Sequence, residues 1–363
     1  MKNILNSSLI LTISVISLTT SCKNEQIEFP DYEREAVYFP IQYPVRTLIL
    51  GEDRINNSID LEHAFNVGVS IGGMYENKKD RKVDFIVDPT LLDNVLATDV
   101  LNNTIYLKQL PENYYSITPG STITIPKGSL SGLARIQLTE AFFNDPESYK
   151  LLYVIPLRIV NSDVSILTGT PLESVTNPNP HIASDYKPLL TPKDFTMFAI
   201  KYINPWHGVF FHRGIQKENG LTTHVFHAEY LEYNETATIQ TSGYKEALYN
   251  KMGTSSGTDF ISKLTFSNDV NGIGDVTVST AEGSTKIVTG SGKYYKSKTE
   301  FAAQNGSWLV NPQTGKTQPH LTITLNFTVT GITPEVTHQF LDTLVFRDNG
   351  VKFENYTVQI LSE

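Results

Sequence analysis

Short apolar segments separated by turn residues account for most of the chain from residue 36 onward. They recur roughly every 8–15 residues. In several of them, such as RKVDFIV at 81–87, apolar and polar residues alternate, which places successive side chains on opposite faces of a strand. Over residues 36–167 this pattern predicts an antiparallel β-sandwich, with short helical segments only around 89–96 and 138–143.

Residues 193–363 show the same pattern of short strands. The segments GVFFHRGIQ and THVFHAEY flank Glu218-Asn219-Gly220, and an Asn-Gly pair supplies the positive φ angles of a tight hairpin. Nine or more antiparallel strands in ~170 residues must close into a barrel or stack as two sheets to cover their edges. The sequence therefore predicts an all-β protein, in which a β-sandwich precedes an antiparallel β-barrel or sandwich that is lipocalin-like in strand count.

Prolines are concentrated between these two regions. Because proline fixes φ and biases the preceding residue toward extended conformations, residues 168–192 cannot form a central strand, and we interpret them as a semi-rigid linker. The predicted organisation is a signal peptide at 1–21, a tether at 22–35, the sandwich at 36–167, the linker at 168–192 and the second domain at 193–363. The prolines concerned are Pro171, Pro178, Pro180, Pro188 and Pro192.

The first 21 residues have the pattern of a secretory signal peptide. Lys2 is their single charged residue, and their apolar run of about ten residues is shorter than the ~20 that span a bilayer. Cys22, the only cysteine, follows directly. Its placement resembles a bacterial lipobox, in which the cysteine is acylated and becomes the mature N-terminus, although Thr19 stands at the usual leucine position. Several acyl chains would hold the protein stably on a membrane.

The composition narrows the class of protein further. Hydrophobic residues make up 40% and charged residues 18% of the 363-residue chain, as in a packed globular protein rather than a disordered or polytopic membrane protein. The net charge is −9, and no basic block interrupts the acidic excess. A nucleic-acid partner is therefore not expected.

Four of the eight histidines lie close together in the sequence, but their spacing does not predict a metal site. His207 and His212 are five residues apart, and His224 and His227 are three apart, so the members of each pair lie on opposite faces of a strand. HExxH and HxH motifs are absent. We expect neither a metal nor another cofactor.

The sequence contains no recognisable catalytic motif. A GxSxG motif is absent, and TGSGKYYK at 289–296 lacks the spacing of a phosphate-binding loop. Carboxylate pairs such as Asp84 and Asp88 are more often solvated strand residues or turn caps than an acid–base pair. We therefore expect that the protein is not an enzyme.

Several longer phrases point to a known group of proteins. They are Cys22 at its lipobox, VSIGGMYENKKDRKVDFIVDPTLL at 69–92, YSITPGSTITIPKG at 115–128, VIPLRI at 154–159, YINPWHGVFFHRG at 202–214 and LDTLVFRDNG at 341–350. Together they resemble the two-domain surface lipoproteins of Bacteroidetes, a family of domains of unknown function often encoded beside glycan-utilisation systems. The resemblance covers most of residues 36–363. It implies an immunoglobulin-like N-terminal sandwich and a role in carbohydrate capture or adhesion at the cell surface.

Aromatic residues in turn-like contexts are the best candidates for ligand binding. Trp206 lies in NPWHG at 204–208, and Tyr294 and Tyr295 directly precede a lysine. Exposed aromatic rings can stack on the apolar faces of sugars, and the imidazole of His207 can donate or accept a hydrogen bond. We therefore select Trp206, His207, Tyr294 and Tyr295 as candidate ligand-binding residues. The alternative is that the tryptophan fills the core.

These observations favour a non-catalytic cell-surface lipoprotein that binds carbohydrate as part of a glycan-capture system. It would be exported, attached to the outer membrane through lipid on Cys22 and exposed to the cell exterior beside outer-membrane uptake proteins. An adhesin or protein-binding spacer is the alternative, and a glycoside hydrolase with unrecognised residues is a third. A sugar site predicts an aromatic-floored groove with a polar rim, whereas an adhesin predicts a flat apolar patch.

Overall fold

A computed structural model describes residues 34–361, except for 54, 99–101, 254, 257–259 and 306–319. These residues form an N-terminal β-sandwich and a C-terminal β-barrel with only short helices, so the predicted all-β fold class is confirmed. The predicted signal peptide and Cys22 lie outside the described residues. No helix in the described part of the chain is long and apolar enough to cross a membrane.

The described strands and helices have the following bounds. The strands up to the end of the first region are β1 (Ala36–Tyr38), β2 (Pro44–Ile49), β3 (Ala64–Gly72), β4 (Arg81–Val87), β5 (Val95–Thr98), β6 (Thr104–Ile105), β7 (Lys108–Gln109), β8 (Tyr115–Thr118), β9 (Thr122–Ile125), β10 (Ser131–Leu138), β11 (Tyr153–Ser162), β12 (Ser165–Ile166) and β13 (Phe195–Ile203). The later strands are β14 (Gly208–Glu218), β15 (Leu221–Phe226), β16 (Thr236–Gly243), β17 (Glu246–Tyr249), β18 (Lys251–Met252), β19 (Ser255–Ser256), β20 (Ser262–Phe266), β21 (Ile273–Thr280), β22 (Ile287–Tyr295), β23 (Thr322–Thr330), β24 (His338–Asp348), β25 (Glu354–Asn355) and β26 (Thr357–Ile360). The α-helices are α1 (Ser58–Leu61), α2 (Glu140–Asn144) and α3 (Glu300–Asn305), and single 3₁₀ turns lie at Pro89–Leu92, Glu112–Tyr114, Ala183–Asp185 and Leu231–Tyr233.

Two sheets face each other in the sandwich. One has the strand order β12-β1-β3-β10-β8, and the other has the order β25-β2-β13-β11-β4-β9, with β7 paired to β11. Their facing residues form one apolar core, to which Val83 and Phe85 of the alternating segment β4 both contribute. The two predicted helical segments are also present, as the 3₁₀ turn at Pro89–Leu92 and as α2.

The second sheet of the sandwich is covered on both faces. Its outer face packs on a third, small sheet with the order β26-β5-β6, through residues that include Met197, Phe195 and Tyr356. Strands buried on both faces have nearly continuous apolar sequences rather than alternating ones. This arrangement explains why β11 begins YVIPL and β13 begins FTMFAI.

The structure corrects the predicted domain boundary. Strand β13 pairs antiparallel with β11 and parallel with β2, so it belongs to the sandwich rather than to the second domain. After the barrel, the chain returns to the sandwich with β25 and β26. The proline-rich stretch is not a linker between domains, because it folds against the sandwich, where the two ring nitrogens of His181 lie 2.9 Å from the Tyr43 hydroxyl and 3.0 Å from the Leu91 carbonyl oxygen.

Eight strands close the barrel. Sequential antiparallel pairing runs through β14, β16, β17 and β20 to β24, and pairing of β24 with β14 completes the circle. β15 extends β14 as the predicted hairpin, whose Asn219 and Gly220 both have positive φ angles, of 47° and 84°. The interior is filled by large side chains, including Phe210, Tyr249 and Phe327, so the barrel encloses a packed core.

Candidate functional site

One tight turn joins the sandwich strand β13 to the barrel strand β14. The buried side chain of Asn204 holds this turn in place. Its Nδ2 donates to the carbonyl groups of Gly243 (3.1 Å) and Glu246 (2.8 Å), and its Oδ1 accepts a hydrogen bond from the Trp206 N–H (3.2 Å). The turn is therefore fixed to the hairpin between β16 and β17, which aligns the barrel with the sandwich.

A cleft of about 230 Å³ opens beside this turn, where the sandwich meets the end of the barrel. We call it the interdomain cleft. The sandwich supplies Leu61 and His63 to its lining, and the barrel supplies an aromatic floor and most of a polar rim. The two regions approach closely here, since a Cβ on Gly51 would lie 2.9 Å from the Pro205 Cα.

Two of the four candidate ligand-binding residues come together at the floor of the cleft. The Trp206 and Tyr294 rings lie edge to face, with centroids 5.1 Å apart. Phe266 stacks on the indole at 4.0 Å, and only 6% of Trp206 is exposed. The Tyr294 hydroxyl donates to the Ser267 carbonyl at 2.8 Å, and burial raises the pKa of this tyrosine to about 12. The expectation of an open stacking face is corrected, because these rings are barrel core and only their edges can reach the cleft.

The other two candidates lie outside the cleft. The Nδ1 of His207 accepts a hydrogen bond from the Thr241 N–H at 3.0 Å, and burial lowers the pKa of this imidazole to about 4. Tyr295 stacks on Phe301 at 3.8 Å. Successive residues of a strand point to opposite sides, so Tyr295 cannot share a surface with Tyr294. The four residues therefore do not form a single binding platform.

Polar side chains from three loops form the rim of the cleft. Lys245 and Asn268 are both exposed there. The Lys296 Nζ lies 2.7 and 3.2 Å from the two carboxylate oxygens of Asp269, so these residues are ion-paired. His63 closes the sandwich side, and burial lowers the pKa of its imidazole, which keeps it neutral at pH 7. The rim can therefore offer ammonium, amide, carboxylate and imidazole groups to one ligand.

Tyr244 forms the wall between the floor and the sandwich. It lies at the tip of the hairpin between β16 and β17 and is partly buried. Its ring centroid is 5.4 Å from that of Phe143, 6.3 Å from that of Tyr202 and 6.3 Å from that of His63, all on the sandwich. This aromatic cluster holds the barrel against the sandwich and fixes the width of the cleft.

A second, larger groove of about 460 Å³ opens at the edge of the sandwich. Its walls include Phe39, Val67 and Phe198 from the facing sheets, and the loops around it carry Ile55 and Phe353. These two side chains are 75% and 72% exposed. We call it the apolar groove, and its lining differs in character from the polar rim of the interdomain cleft.

The histidines that are close in the sequence are dispersed in the structure. His212 lies inside the barrel, with its Nε2 3.2 Å from Asp342, whereas His224 is exposed on β15. Across the described residues, no group of three His, Cys, Asp or Glu side chains is placed to hold a metal ion.

Sequence reasoning missed most of the rim. Lys296 directly follows the selected Tyr295, and Asp269 and Asn268 lie in a polar loop, so proximity to candidate aromatics and loop polarity were usable signals. Lys245 and His63 carried no such signal, because they meet only when the two regions dock.

The sandwich, the eight-stranded barrel and the cleft between them define a class of two-domain, all-β proteins. A family model described as an N-terminal domain matches residues 31–166, and the domain of unknown function DUF5627 matches residues 205–350, which coincide with the barrel. The crystal structure of a protein of unknown function from Bacteroides ovatus is 30% identical, with a TM-score of 0.75, and the alignment covers 92% of this chain and 100% of that chain. The chain belongs to the same family as this protein.

Two more distant crystal structures from Bacteroides ovatus also align. One is of a protein of unknown function, with 12% identity, a TM-score of 0.42 and coverage of 89% of this chain and 100% of that chain. The other is of a multidomain protein including DUF1735, with 12% identity, a TM-score of 0.41 and coverage of 88% and 99%. No curated protein matches the chain.

Proposed function

We propose that this protein is a non-catalytic surface lipoprotein that binds glycan at the interdomain cleft as part of a glycan-capture system. The observation that carries the proposal is the combination of an aromatic floor and a polar rim in one cleft. Sugars present apolar C–H faces and many hydroxyl groups, so a site for them needs both kinds of surface. Rim groups such as the Asn268 amide would bind hydroxyl groups, while Tyr244 and the edge of Trp206 would contact the ring.

The size and rigidity of the cleft fit this role. At about 230 Å³ it is smaller than the ~300–1,000 Å³ typical of pockets for drug-sized ligands. It suits one sugar unit of a longer chain that continues into solvent. Because Asn204 and the aromatic cluster around Tyr244 fix the two regions relative to each other, little order has to be gained on binding, which favours affinity.

The chemistry of the rim supports binding without hydrolysis. Glycosidases use two carboxyl groups about 5–9.5 Å apart. Among the described residues that line the cleft, Asp269 supplies the one carboxylate, and it is ion-paired with Lys296. The described lining thus supplies one carboxylate where a glycoside hydrolase needs two, which supports a binding role.

The anchor is proposed from the N-terminal sequence. We expect acylation of Cys22 to attach the protein to the outer membrane, facing the exterior and close to outer-membrane uptake proteins. Cells expressing the wild-type chain should incorporate labelled palmitate into the protein, and Cys22→Ala should abolish this labelling. Undiminished labelling of the variant would refute the assignment of Cys22.

A glycan array probed with the protein lacking residues 1–22 tests the binding function. We expect binding to at least one class of glycan. With a ligand so identified, Asn268→Ala should weaken the affinity about two- to tenfold, since one hydrogen bond contributes ~0.5–1.5 kcal/mol. Asn326→Ala, at an exposed position on β23 outside the cleft, is the matched control and should leave the affinity unchanged. An array without any bound glycan, or equal losses in both variants, would contradict the proposal.

A protein-binding role is the second candidate, and the apolar groove favours it. Ile55 and Phe353 expose apolar side chains at its mouth, and exposed apolar surface of this kind often marks a protein-interaction site. In this case Phe353→Ser would abolish cell–cell or cell–matrix adhesion, whereas Asn268→Ala would not affect it.

A further inference from the structure

We infer that the interdomain cleft selects a sugar unit that carries a negative charge, either a carboxylate or a sulfate group. This inference rests on the proposed glycan-binding function and specifies its ligand class. Its basis is the charge of the cleft lining, which is opposite in sign to that of the whole protein.

The described lining residues carry a net positive charge. Lys245 and Lys296 each contribute one positive charge, and Asp269 contributes one negative charge. His63 adds none at pH 7, because burial lowers its pKa. The lining therefore has a net charge of +1, while the chain as a whole carries −9. The lining thus differs in sign from the net charge of the chain, which favours an anionic ligand at the cleft.

Lys245 is the cation that carries this charge. Within the described part of the chain it forms no ion pair, whereas Lys263 and Lys293 on nearby barrel strands lie 3.2 Å from Glu246 and 2.7 Å from Asp275. Each of these two surface lysines is thus neutralised by a neighbouring carboxylate. At the tip of the hairpin between β16 and β17, Lys245 keeps its three N–H donors available for a ligand.

Lys296 can contribute to the same ligand. Its ammonium group has three N–H donors, and its contacts with the two Asp269 oxygens use at most two of them. Lys296 comes directly after β22 and Lys245 from a different hairpin, so the two cations approach the cleft from separate loops. An oxyanion bound between them would complete the charge balance of the lining.

The surroundings of the cleft strengthen this preference. Trp206, Tyr244 and Tyr294 form apolar walls on the floor side, and such walls lower the effective dielectric constant near the lysines. Charge interactions are therefore less screened there than on an open surface. The aromatic floor also favours a ring-shaped ligand over a small inorganic anion.

Three oligosaccharides of matched length test the inference by isothermal titration with the protein lacking residues 1–22. They are a neutral galacto-oligosaccharide, an oligogalacturonate and a sulfated galactan fragment. We expect one or both acidic ligands to bind at least tenfold more tightly than the neutral one in 50 mM NaCl. Raising NaCl to 300 mM should reduce this preference, and the two acidic ligands distinguish a carboxylate from a sulfate site.

Substitutions at single lysines test whether the preference for acidic ligands arises at the cleft. Lys245→Gln should weaken binding of the acidic ligand about three- to tenfold and leave binding of a neutral ligand nearly unchanged. Lys263→Gln, outside the cleft, is the matched control and should alter neither. An unchanged melting temperature of Lys245→Gln would show that the loss arises from the site and not from the fold.

The failures of the two proposals are distinguishable. Equal or tighter binding of a neutral glycan, an affinity for the acidic ligand that is independent of salt, or an unchanged affinity in Lys245→Gln would overturn the charge preference and leave glycan binding intact. An array without any bound glycan would overturn both proposals.

Discussion

The sandwich and the barrel bury their strands in different ways. The second sheet of the sandwich has apolar neighbours on both faces. The barrel has a single interior, which includes a polar cluster: Asp342, 2% exposed, accepts a 2.6 Å hydrogen bond from the Tyr249 hydroxyl and lies 3.2 Å from the His212 Nε2. A layered fold can cover an apolar face by adding another layer. In a closed barrel, every inward-facing side chain, polar or apolar, must be buried in the interior. The sandwich buries carboxylates too, but these are paired with arginines, as Asp194 is with Arg158, whereas Asp342 lies against a tyrosine and a histidine.

The two regions also differ in how the chain completes them. The barrel is continuous in sequence, whereas the sandwich is completed by β25 and β26, which follow the barrel. Tyr356, between these strands, is 4% exposed, and its hydroxyl donates to the Met197 carbonyl at 2.7 Å. The barrel is in effect an insertion into the sandwich. The stability of the N-terminal region thus depends on residues at the C-terminal end.

Tyr356→Ala should cause the largest loss of stability, and the loss should be confined to the sandwich. Removing a buried aromatic side chain costs ~3–5 kcal/mol, and here the hydrogen bond to Met197 is lost as well. We expect the free energy of unfolding, measured in urea, to fall by about this amount. Hydrogen exchange should accelerate in β11 and β13 and change little in β22 and β23.

Tyr233→Ala is the matched control, because this tyrosine is 74% exposed and its loss should change stability by less than ~0.5 kcal/mol. Equal acceleration of exchange in the sandwich and the barrel after Tyr356→Ala would show that the two regions unfold as one unit, which would contradict the comparison.

The sequence predicted the elements better than their partners. Strand β13 lies in residues 193–363, where the sequence predicts short strands, but its pairing with β11 and β2 depends on residues far away in the chain. The prolines before it predict a boundary, because proline excludes a central strand. The sequence does not show that this stretch folds against the sandwich, because Tyr43 and Leu91, which His181 contacts there, lie far away in the chain.

The candidate site was predictable to a similar degree. Trp206 and Tyr294 stood out by their residue type and turn-like context, and both line the cleft. The burial of these two side chains was not predictable, because the Phe266 ring that covers the indole comes from another strand. His63 and Lys245 are brought together by the docking of two regions, for which a single sequence holds no periodic signal.

The smaller effect should come from Asp342→Asn, which tests the polar cluster of the barrel. An amide of the same shape can still accept the hydrogen bond from Tyr249, but that bond is then one between neutral groups. Hydrogen bonds to charged groups contribute ~1.5–3 kcal/mol and those between neutral groups ~0.5–1.5 kcal/mol. We therefore expect the free energy of unfolding to fall by about 1–2 kcal/mol, with faster exchange in the barrel strands β14 and β24.

Tyr249→Phe separates the two contributions to this effect. It removes the phenol donor and leaves the carboxylate in place, and it should cost more than Asp342→Asn, because a buried charge then loses its short hydrogen bond. A gain in stability in Asp342→Asn would contradict the expected contribution of the carboxylate to folding. Such a gain would indicate that the barrel retains its carboxylate at a cost to stability.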